Sequence, residues 1–336
     1  MNIAILSSKS MDPIARQVYE QLAANDTLRR EGNTYEYIGF ESLIFANGEI
    51  RPKVLDNLRS KLVYLFHCPA LPDPNSGLME LFLTINAIKL ARARDLVLVL
   101  PFIPYFRQDR KEDTERVPIS ARVVADMLTM SGIVKDIVTM DLHVEQEQAF
   151  FSCPTQNLSG QVILAQYFRD RFGGDFSKVV VSSTDLGGGK RAQRLAQKLG
   201  SNVKVGTLLK SRNDDASVKT LGFIGPDLTD MTVLLSDDMV DTGGSTIAGI
   251  DALLQRGAKE VIPCFSHPIF SPKGGKTAEQ KFRAAGAHVV ALDTIPRSKE
   301  YYAENSDWLT VLSTADYLAK VVCESHRSGG SVSALF

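Results

Sequence analysis

The chain has 336 residues, of which 44% are hydrophobic and 23% are charged. This length is too great for one ordinary domain and suits two, each large enough to bury its own core. Lysine and arginine total 38 against 39 for aspartate and glutamate, so the net charge of -1 gives no basic surface for nucleic acid or an anionic membrane. No apolar run approaches the roughly 20 residues of a membrane span, and no signal-peptide pattern is present, so we expect a cytoplasmic protein.

Short apolar runs alternate along the chain with segments of helical spacing. The runs lie at 2–6, 62–67, 95–100, 136–140, 178–183, 232–236, 260–265 and 288–292. Runs that are apolar throughout are typical of strands covered on both faces, and their alternation with helices is typical of a parallel sheet. A proline and small polar residues at 153–160 indicate a break between domains. We therefore expect two similar α/β domains, each a mainly parallel sheet flanked by helices.

Three segments of the first half carry polar side chains next to predicted strands. FANGEI (45–50) predicts a turn between two strands, because Asn-Gly favours hairpins. PYFRQDRKEDTERVP (104–118) concentrates basic side chains among acids; a ligand loop and a solvated loop remain equally good interpretations of that pattern. His143 follows the run at 136–140, but an isolated histidine is more often structural than a metal ligand.

A strand, an acid and a glycine loop occur together at 178–191. Asp185 follows the run KVVVSS and precedes Gly187, Gly188 and Gly189, which lead into a predicted helix. Exposed amides in such a loop suit a diphosphate, and the carboxylate suits its metal ion. As a bare glycine turn, the segment would be weak evidence.

The next predicted strand, at 203–210, ends in Lys210-Ser211-Arg212 and a loose polar stretch. From the residues alone, the interpretation is a solvated hairpin.

The run VLLSDDMVDTGGST (233–246) joins acids to a second glycine loop. We expect the buried strand to end just before Asp237 and Asp238, which puts both at the edge of the sheet that faces a ligand. The segment from Asp241 through Thr242, Gly243, Gly244, Ser245 and Thr246 then leads into a helix, and its amides form an anion site. Since carboxylates repel phosphate, the acids need hydroxyl donors or a divalent cation. The residues predict a ribose phosphate site; an acidic helix cap is the alternative.

The run at 233–246 resembles the phosphoribosyl pyrophosphate binding motif of type I phosphoribosyltransferases and ribose-phosphate pyrophosphokinases. The stretches at 104–132, 138–151, 182–200 and 331–336 resemble the pyrophosphokinases in the same order, and a phosphoribosyltransferase does not need the first two. From about position 3 to its end, the chain is therefore similar to the ribose-phosphate pyrophosphokinase family.

That resemblance implies roles for individual residues. Asp237, Asp238 and the segment 241–246 would bind ribose 5-phosphate, and Asp185 with Gly187, Gly188 and Gly189 would form the pyrophosphate loop. Phe45, Asn47, Glu49, Arg107, Gln108 and His143 would contact ATP, with His143 and Asp185 as ligands of Mg²⁺. Lys210 and Arg212 would open the catalytic loop.

The resemblance also implies an organisation. Residues 1–157 with the tail 318–336 would form the ATP-side domain, and 158–317 the ribose 5-phosphate side. The protein would be a homo-oligomer built from dimers, with a hexamer as the expected larger form and an ATP site shared between subunits. Two alternatives stay open: a non-catalytic regulatory subunit and, less favoured, a phosphoribosyltransferase.

Overall fold

The computed structural model describes residues 1–111, 115–212, 218–327 and 329–335, without the side chains of 210–212 and 218–221. The chain forms two compact units. Unit 1 comprises Met1–Ser159, Thr294–Pro296 and Ser313–Phe336, and unit 2 comprises Gly160–Asp293 and Arg297–Leu312. The functional domain limits expected from the sequence stay a prediction.

Strands and helices alternate through both units. The strands are β1 (Asn2–Ser7), β2 (Thr34–Tyr37), β3 (Phe40–Ile44), β4 (Ile50–Val54), β5 (Leu62–Phe66), β6 (Asp95–Val99), β7 (Val134–Met140), β8 (Thr155–Leu158), β9 (Val179–Ser183), β10 (Lys204–Arg212), β11 (Val218–Ile224), β12 (Thr232–Val240), β13 (Glu260–Pro268), β14 (Val289–Leu292) and β15 (Leu309–Leu312). The helices are α1 (Asp12–Ala24), α2 (Asp26–Arg30), α3 (Pro74–Leu90), α4 (Ser120–Thr129), α5 (Gln161–Phe172), α6 (Gly189–Leu199), α7 (Gly244–Leu254), α8 (Ala278–Ala284), α9 (Lys299–Glu304) and α10 (Ala315–His326).

Unit 1 is built on a parallel sheet with the strand order β2-β1-β5-β6-β7-β8. β1, β5 and β6 are almost wholly buried, as expected for strands covered on both faces. β3 and β4 form a separate antiparallel pair. The last helix, α10, packs against α1, so the end of the chain returns to the first unit.

Unit 2 has the strand order β11-β10-β9-β12-β13-β14-β15. Among its described residues, only the edge strand β11 runs antiparallel to its neighbour. Its core contains a cluster of aromatic side chains in which Phe282 stacks on Trp308 at 5.5 Å. The predicted fold class, two mainly parallel sheets flanked by helices, is confirmed.

The two sheets share one topological feature. The first strand of each unit lies between the second and third parallel strands of its own sheet: β1 lies between β2 and β5, and β9 lies between β10 and β12. The chain direction across the sheet reverses there, and ligands of open α/β sheets bind beside the carboxyl ends of the strands at such a point.

Within the described ranges, no helix combines the length and the apolar character that crossing a bilayer requires.

Candidate active site

The two loops with the strongest sequence signals meet at the reversal point of unit 2. β9 and β12 pair side by side up to Ser183 opposite Ser236. The Asp185 loop follows β9 directly, and the acidic pair Asp237 and Asp238 comes one residue beyond the paired position in β12. Both signals therefore lie at the same edge of the sheet.

The strand β12 is longer than expected, which corrects one prediction. The sequence pattern places the strand end before Asp237, but β12 continues to Val240. Pairing with β13 persists as far as Val240 opposite Pro268, while pairing with β9 has already ended. Asp237 and Asp238 thus lie inside a strand that is paired on one side only, and the loop proper is shorter than expected.

The carboxylate of Asp237 is held by three neighbours. The Thr184 hydroxyl donates to Oδ2 at 2.6 Å, and the Asp238 backbone N–H donates to Oδ1 at 2.9 Å. Arg191 Nη1 lies 3.6 Å from Asp237 Oδ1 and 3.5 Å from Asp238 Oδ1. Burial, followed by the adjacent Asp238 carboxylate, raises the pKa of Asp237 to about 7. One guanidinium thus faces two carboxylates, which favours hydroxyl donors or a further cation as partners.

No role is predicted for Thr184 or Arg191 from the sequence. Thr184 is buried and Arg191 is in the first turn of α6. Gln161 fixes that turn by donating to the Arg191 carbonyl at 2.8 Å. Arg191 follows the glycine loop directly, and a search for cations in the first turn of the predicted helix would have found it.

The loop after β12 turns at a glycine with a left-handed backbone. Gly243 has φ 75° and precedes α7, and a Cβ there would lie 3.2 Å from the Phe282 ring. Lys281 supports the turn by donating to the Thr242 carbonyl at 3.0 Å. No side chain caps the helix start, and Gly244 and Ser245 are exposed. The first N–H groups of α7 therefore have no side-chain cap and are suited to bind an anion.

The Asp185 loop is tied to its own strand. Gly188 N–H donates to Asp185 Oδ1 at 3.1 Å, and the Asp185 carbonyl accepts hydrogen bonds from the hydroxyls of Ser183 (2.7 Å) and Thr207 (2.9 Å). A Cβ on Gly188 would lie 3.1 Å from Ser183 Cβ, so a larger residue would push the loop away from β9. Gly187 is exposed, whereas Gly188 is buried, and the Gly189 N–H donates to the Leu186 carbonyl at 3.3 Å.

Lys210 and Arg212 occupy the last residues of β10. Their backbones pair with Thr220 and Val218 of β11, with an irregularity between Leu209 and Lys210. Their side chains, and the residues 213–217 that follow, lie outside the described part of the chain.

Arg107 and Gln108 follow β6 in unit 1. Gln108 is anchored, because its Oε1 accepts from the Ser120 hydroxyl at 2.6 Å and its carbonyl accepts from the Ala121 N–H at 3.2 Å. Both Arg107 and Gln108 are exposed at the surface. The preceding Phe106 is buried and secures the loop.

His143 follows the neighbouring strand β7 and is exposed. The backbone ahead of it is fixed by Leu142 N–H, which donates to Asn157 Oδ1 at 3.0 Å. Phe151 stacks on Phe106 at 5.5 Å, which joins this segment to the loop that carries Arg107. The structure therefore brings the two predicted ATP segments of unit 1 to one edge of its sheet.

Phe45, Asn47 and Glu49 form the turn between β3 and β4, so the hairpin prediction is confirmed. Asn47 Oδ1 accepts from the Glu49 N–H at 3.1 Å, and the Arg51 guanidinium lies 5.3 Å from the centre of the Phe45 ring. Phe45 is 40% exposed. The turn presents an aromatic ring and polar groups to the surface.

Metal ligands are not pre-assembled in the part of the chain that the structure describes. No three His, Cys, Asp or Glu side chains there stand close enough together to hold an ion.

Comparison with known proteins decides the family. A model of the N-terminal domain of ribose phosphate pyrophosphokinase matches residues 3–132, and a model of the phosphoribosyl transferase domain matches residues 160–295. The ribose-phosphate pyrophosphokinase of Ralstonia nicotianae is 35% identical over 292 residues, which cover 87% of this chain and 88% of that protein. The chain belongs to the ribose-phosphate pyrophosphokinase family.

Further relatives agree with this assignment. The ribose-phosphate pyrophosphokinase of Thermotoga maritima is 34% identical over 293 residues, covering 87% of this chain and 88% of that protein. The crystal structure of phosphoribosylpyrophosphate synthetase from Mycobacterium smegmatis matches with a TM-score of 0.78 and 30% identity, over 97% of this chain and 100% of that one. The expected family and enzyme class, ribose-phosphate pyrophosphokinase, are confirmed.

Proposed function

We propose that this protein transfers the β,γ-diphosphoryl group of ATP to the C1 hydroxyl of ribose 5-phosphate. The hydroxyl oxygen attacks the β-phosphorus, the bond from that phosphorus to the α,β-bridging oxygen breaks, and the hydroxyl proton is released. The products are phosphoribosyl pyrophosphate and AMP. The observation that carries the proposal is the carboxylate pair of β12 beside the uncapped start of α7, since acids and amides suit the diol and the phosphate of one ligand.

In this proposal, each loop of unit 2 has a distinct task. Asp237 and Asp238 accept hydrogen bonds from the ribose hydroxyls, and the segment from Asp241 to Thr246 donates to the 5-phosphate. The Asp185 loop, with Gly187, Gly188 and Gly189, receives the diphosphate. Lys210 and Arg212 supply positive charge to the oxygens of the group in transfer, which is the main contribution that a protein makes to phosphoryl-type transfer.

We assign the nucleotide to unit 1, where Arg107, Gln108 and His143 lie at one sheet edge. The family is a class of metal-dependent diphosphotransferases, and we propose Mg²⁺ as the metal. Proteins bind Mg²⁺ through one or two carboxylates together with substrate phosphates, so the carboxylate of Asp185 fits without a pre-assembled cluster. His143 is a supporting ligand, because nitrogen is a poor donor for so hard an ion. When bound, Mg²⁺ neutralises charge on the phosphate oxygens.

We further propose a homo-oligomer, built from dimers and reaching a hexamer, in which Phe45, Asn47 and Glu49 contact the adenine bound by a neighbouring subunit. The Phe45 ring supports this, because it is 40% exposed in the turn of the hairpin. Mass measurement in solution tests the oligomer.

One assay tests the reaction. The purified protein is incubated with ATP, Mg²⁺ and ribose 5-phosphate, and AMP and phosphoribosyl pyrophosphate are measured together. Equal amounts of both support the proposal. No AMP at any phosphate concentration would leave the regulatory-subunit alternative in its place.

A further inference from the structure

A cavity of about 990 Å³ opens in unit 1 at the carboxyl end of β1. Its walls come from the residues after β1, the start of α1, both strands of the β3–β4 hairpin and Glu80 of α3. The volume is at the upper end of the range of small-molecule sites. None of the residues given a role in the proposed reaction lines it.

The position of this cavity follows from the topology. The order in which the chain adds strands to the sheet of unit 1 reverses between β1 and β5. The Ser8 N–H, in the loop after β1, donates to the Phe66 carbonyl at the end of β5 (2.8 Å). In unit 2, the corresponding point between β9 and β12 holds the Asp185 loop and the acidic pair. The cavity therefore lies where an open α/β sheet binds its ligands.

Charge in the cavity favours an anion. Two of its three acids, Asp12 and Glu80, already have side-chain hydrogen-bond partners. Asp12 accepts from Arg16 Nε and from the Tyr37 hydroxyl, both at 2.7 Å. Glu80 Oε2 lies 3.0 Å from Nε2 of His67, a fully buried side chain.

The three cations of the cavity form fewer interactions with acidic side chains. Among the described residues, Lys9, Arg51 and Lys53 form no ion pair. Lys53 lies opposite the third acid, Glu41, in the register of the hairpin, so one of the three positive charges has an acidic neighbour. Arg16 offsets the charge of Asp12, so the three cations face two acids, Glu41 and Glu80. The surplus of about one positive charge favours an anionic ligand.

We propose that this cavity binds a phosphate monoester whose organic part is apolar or aromatic. Lys9, Lys53 and Arg51 receive the phosphate. Phe40 and Leu43, which line the same cavity, contact the organic part. The proposal concerns a separate site and does not depend on the proposed reaction.

Phenyl phosphate is a suitable probe, because it carries a monoester and a ring but neither ribose nor a diphosphate. Calorimetric titration of the full chain, without nucleotide, is expected to give saturable binding. The Lys9→Gln/Lys53→Gln variant should weaken that binding at least tenfold. The Arg29→Gln/Lys135→Gln variant removes two exposed cations of unit 1 outside the cavity and should leave it unchanged.

A second variant tests the cavity itself rather than its charge. Leu43→Trp keeps all three cations but fills space, so it should weaken phenyl phosphate binding while inorganic phosphate binding persists. The proposal is overturned if the wild type shows no saturable binding at millimolar concentration, or if the Lys9→Gln/Lys53→Gln variant binds normally. It is also overturned if binding is lost instead in Gly188→Ala, since the probe would then occupy the Asp185 loop of unit 2.

Discussion

Burial of Asp237 beside Asp238 lowers the stability of the ligand-free protein when Asp237 is ionised. Its folded-state pKa of about 7 lies above the ordinary value of 3.8. Between these values the folded state binds more protons than the unfolded state, so this group lowers stability as pH rises through about 7. An acid that destabilises the ligand-free protein at neutral pH is typical of a site shaped for a ligand.

We therefore predict that Asp237→Asn stabilises the ligand-free protein above pH 7, by roughly 1 to 3 kcal/mol, and abolishes turnover. The neutral amide removes the repulsion from Asp238 and keeps an acceptor for the Thr184 hydroxyl. Urea unfolding at several pH values measures the gain, which should shrink as pH falls toward 4. Asp251→Asn, an exposed position on α7, is the matched control. A less stable Asp237→Asn protein at pH 8 would contradict the stated cause.

Lys210 is the second test at residue scale. Lys210→Ala is expected to lower kcat for AMP formation by roughly 10²-fold or more, because in the proposed reaction the lost charge acts on the transferring group. Far-UV circular dichroism should be unchanged. Lys204→Ala removes an exposed lysine from the same strand and should retain activity. An unchanged kcat in Lys210→Ala would exclude this residue from the mechanism.

At the scale of single elements, α3 packs directly on backbone. A Cβ at Gly77 would lie 2.4 Å from the Pro69 carbonyl oxygen and 2.7 Å from that of Leu71. Backbone atoms cannot move aside as a flexible side chain can, so the helix itself would have to shift.

Gly77→Ala should therefore destabilise the protein by about 1 to 3 kcal/mol, although alanine is otherwise the better helix former. Gly189→Ala is the matched control, since it also lies in a helix but has open space at its Cβ position. Thermal unfolding without ligand compares the two. Equal stability of both variants would show that α3 adjusts at little cost.

The sequence predicted most strands and the glycine loops, because buried parallel strands are apolar throughout and their loops need small residues. It failed where tertiary pairing overrides the local pattern. β12 extends through two aspartates because β13 continues beside it to Pro268. The ion pairs of Arg191 with Asp237 and Asp238 also join separate elements, and a local pattern does not predict such contacts.

At the scale of the whole molecule, the end of the chain completes the unit with which it begins. Gln17 and Gln21 of α1 donate to Asp316 Oδ1 of α10 at 3.2 and 2.6 Å. Near the end of α10, His326 Nε2 lies 2.8 Å from the hydroxyl of Tyr64 in β5. Burial, then the charges of the N-terminus and Arg94, lower the pKa of His326 from 6.5 to about 4.

The lowered pKa of the largely buried His326 predicts a pH-dependent stability for unit 1. Between pH 6.5 and 4, His326 is protonated in the unfolded state but neutral in the folded state. The free energy of unfolding therefore falls as pH decreases through that window. The loss is at most about 3 kcal/mol, and partial exposure of His326 reduces it. His326→Gln should flatten the decline measured by circular dichroism, while fluorescence of Trp308, the single tryptophan, reports on unit 2. Tyr64→Phe keeps the histidine and should keep the slope at lower overall stability. If His326→Gln declined as steeply as the wild type, the pH dependence would have to come from groups other than His326.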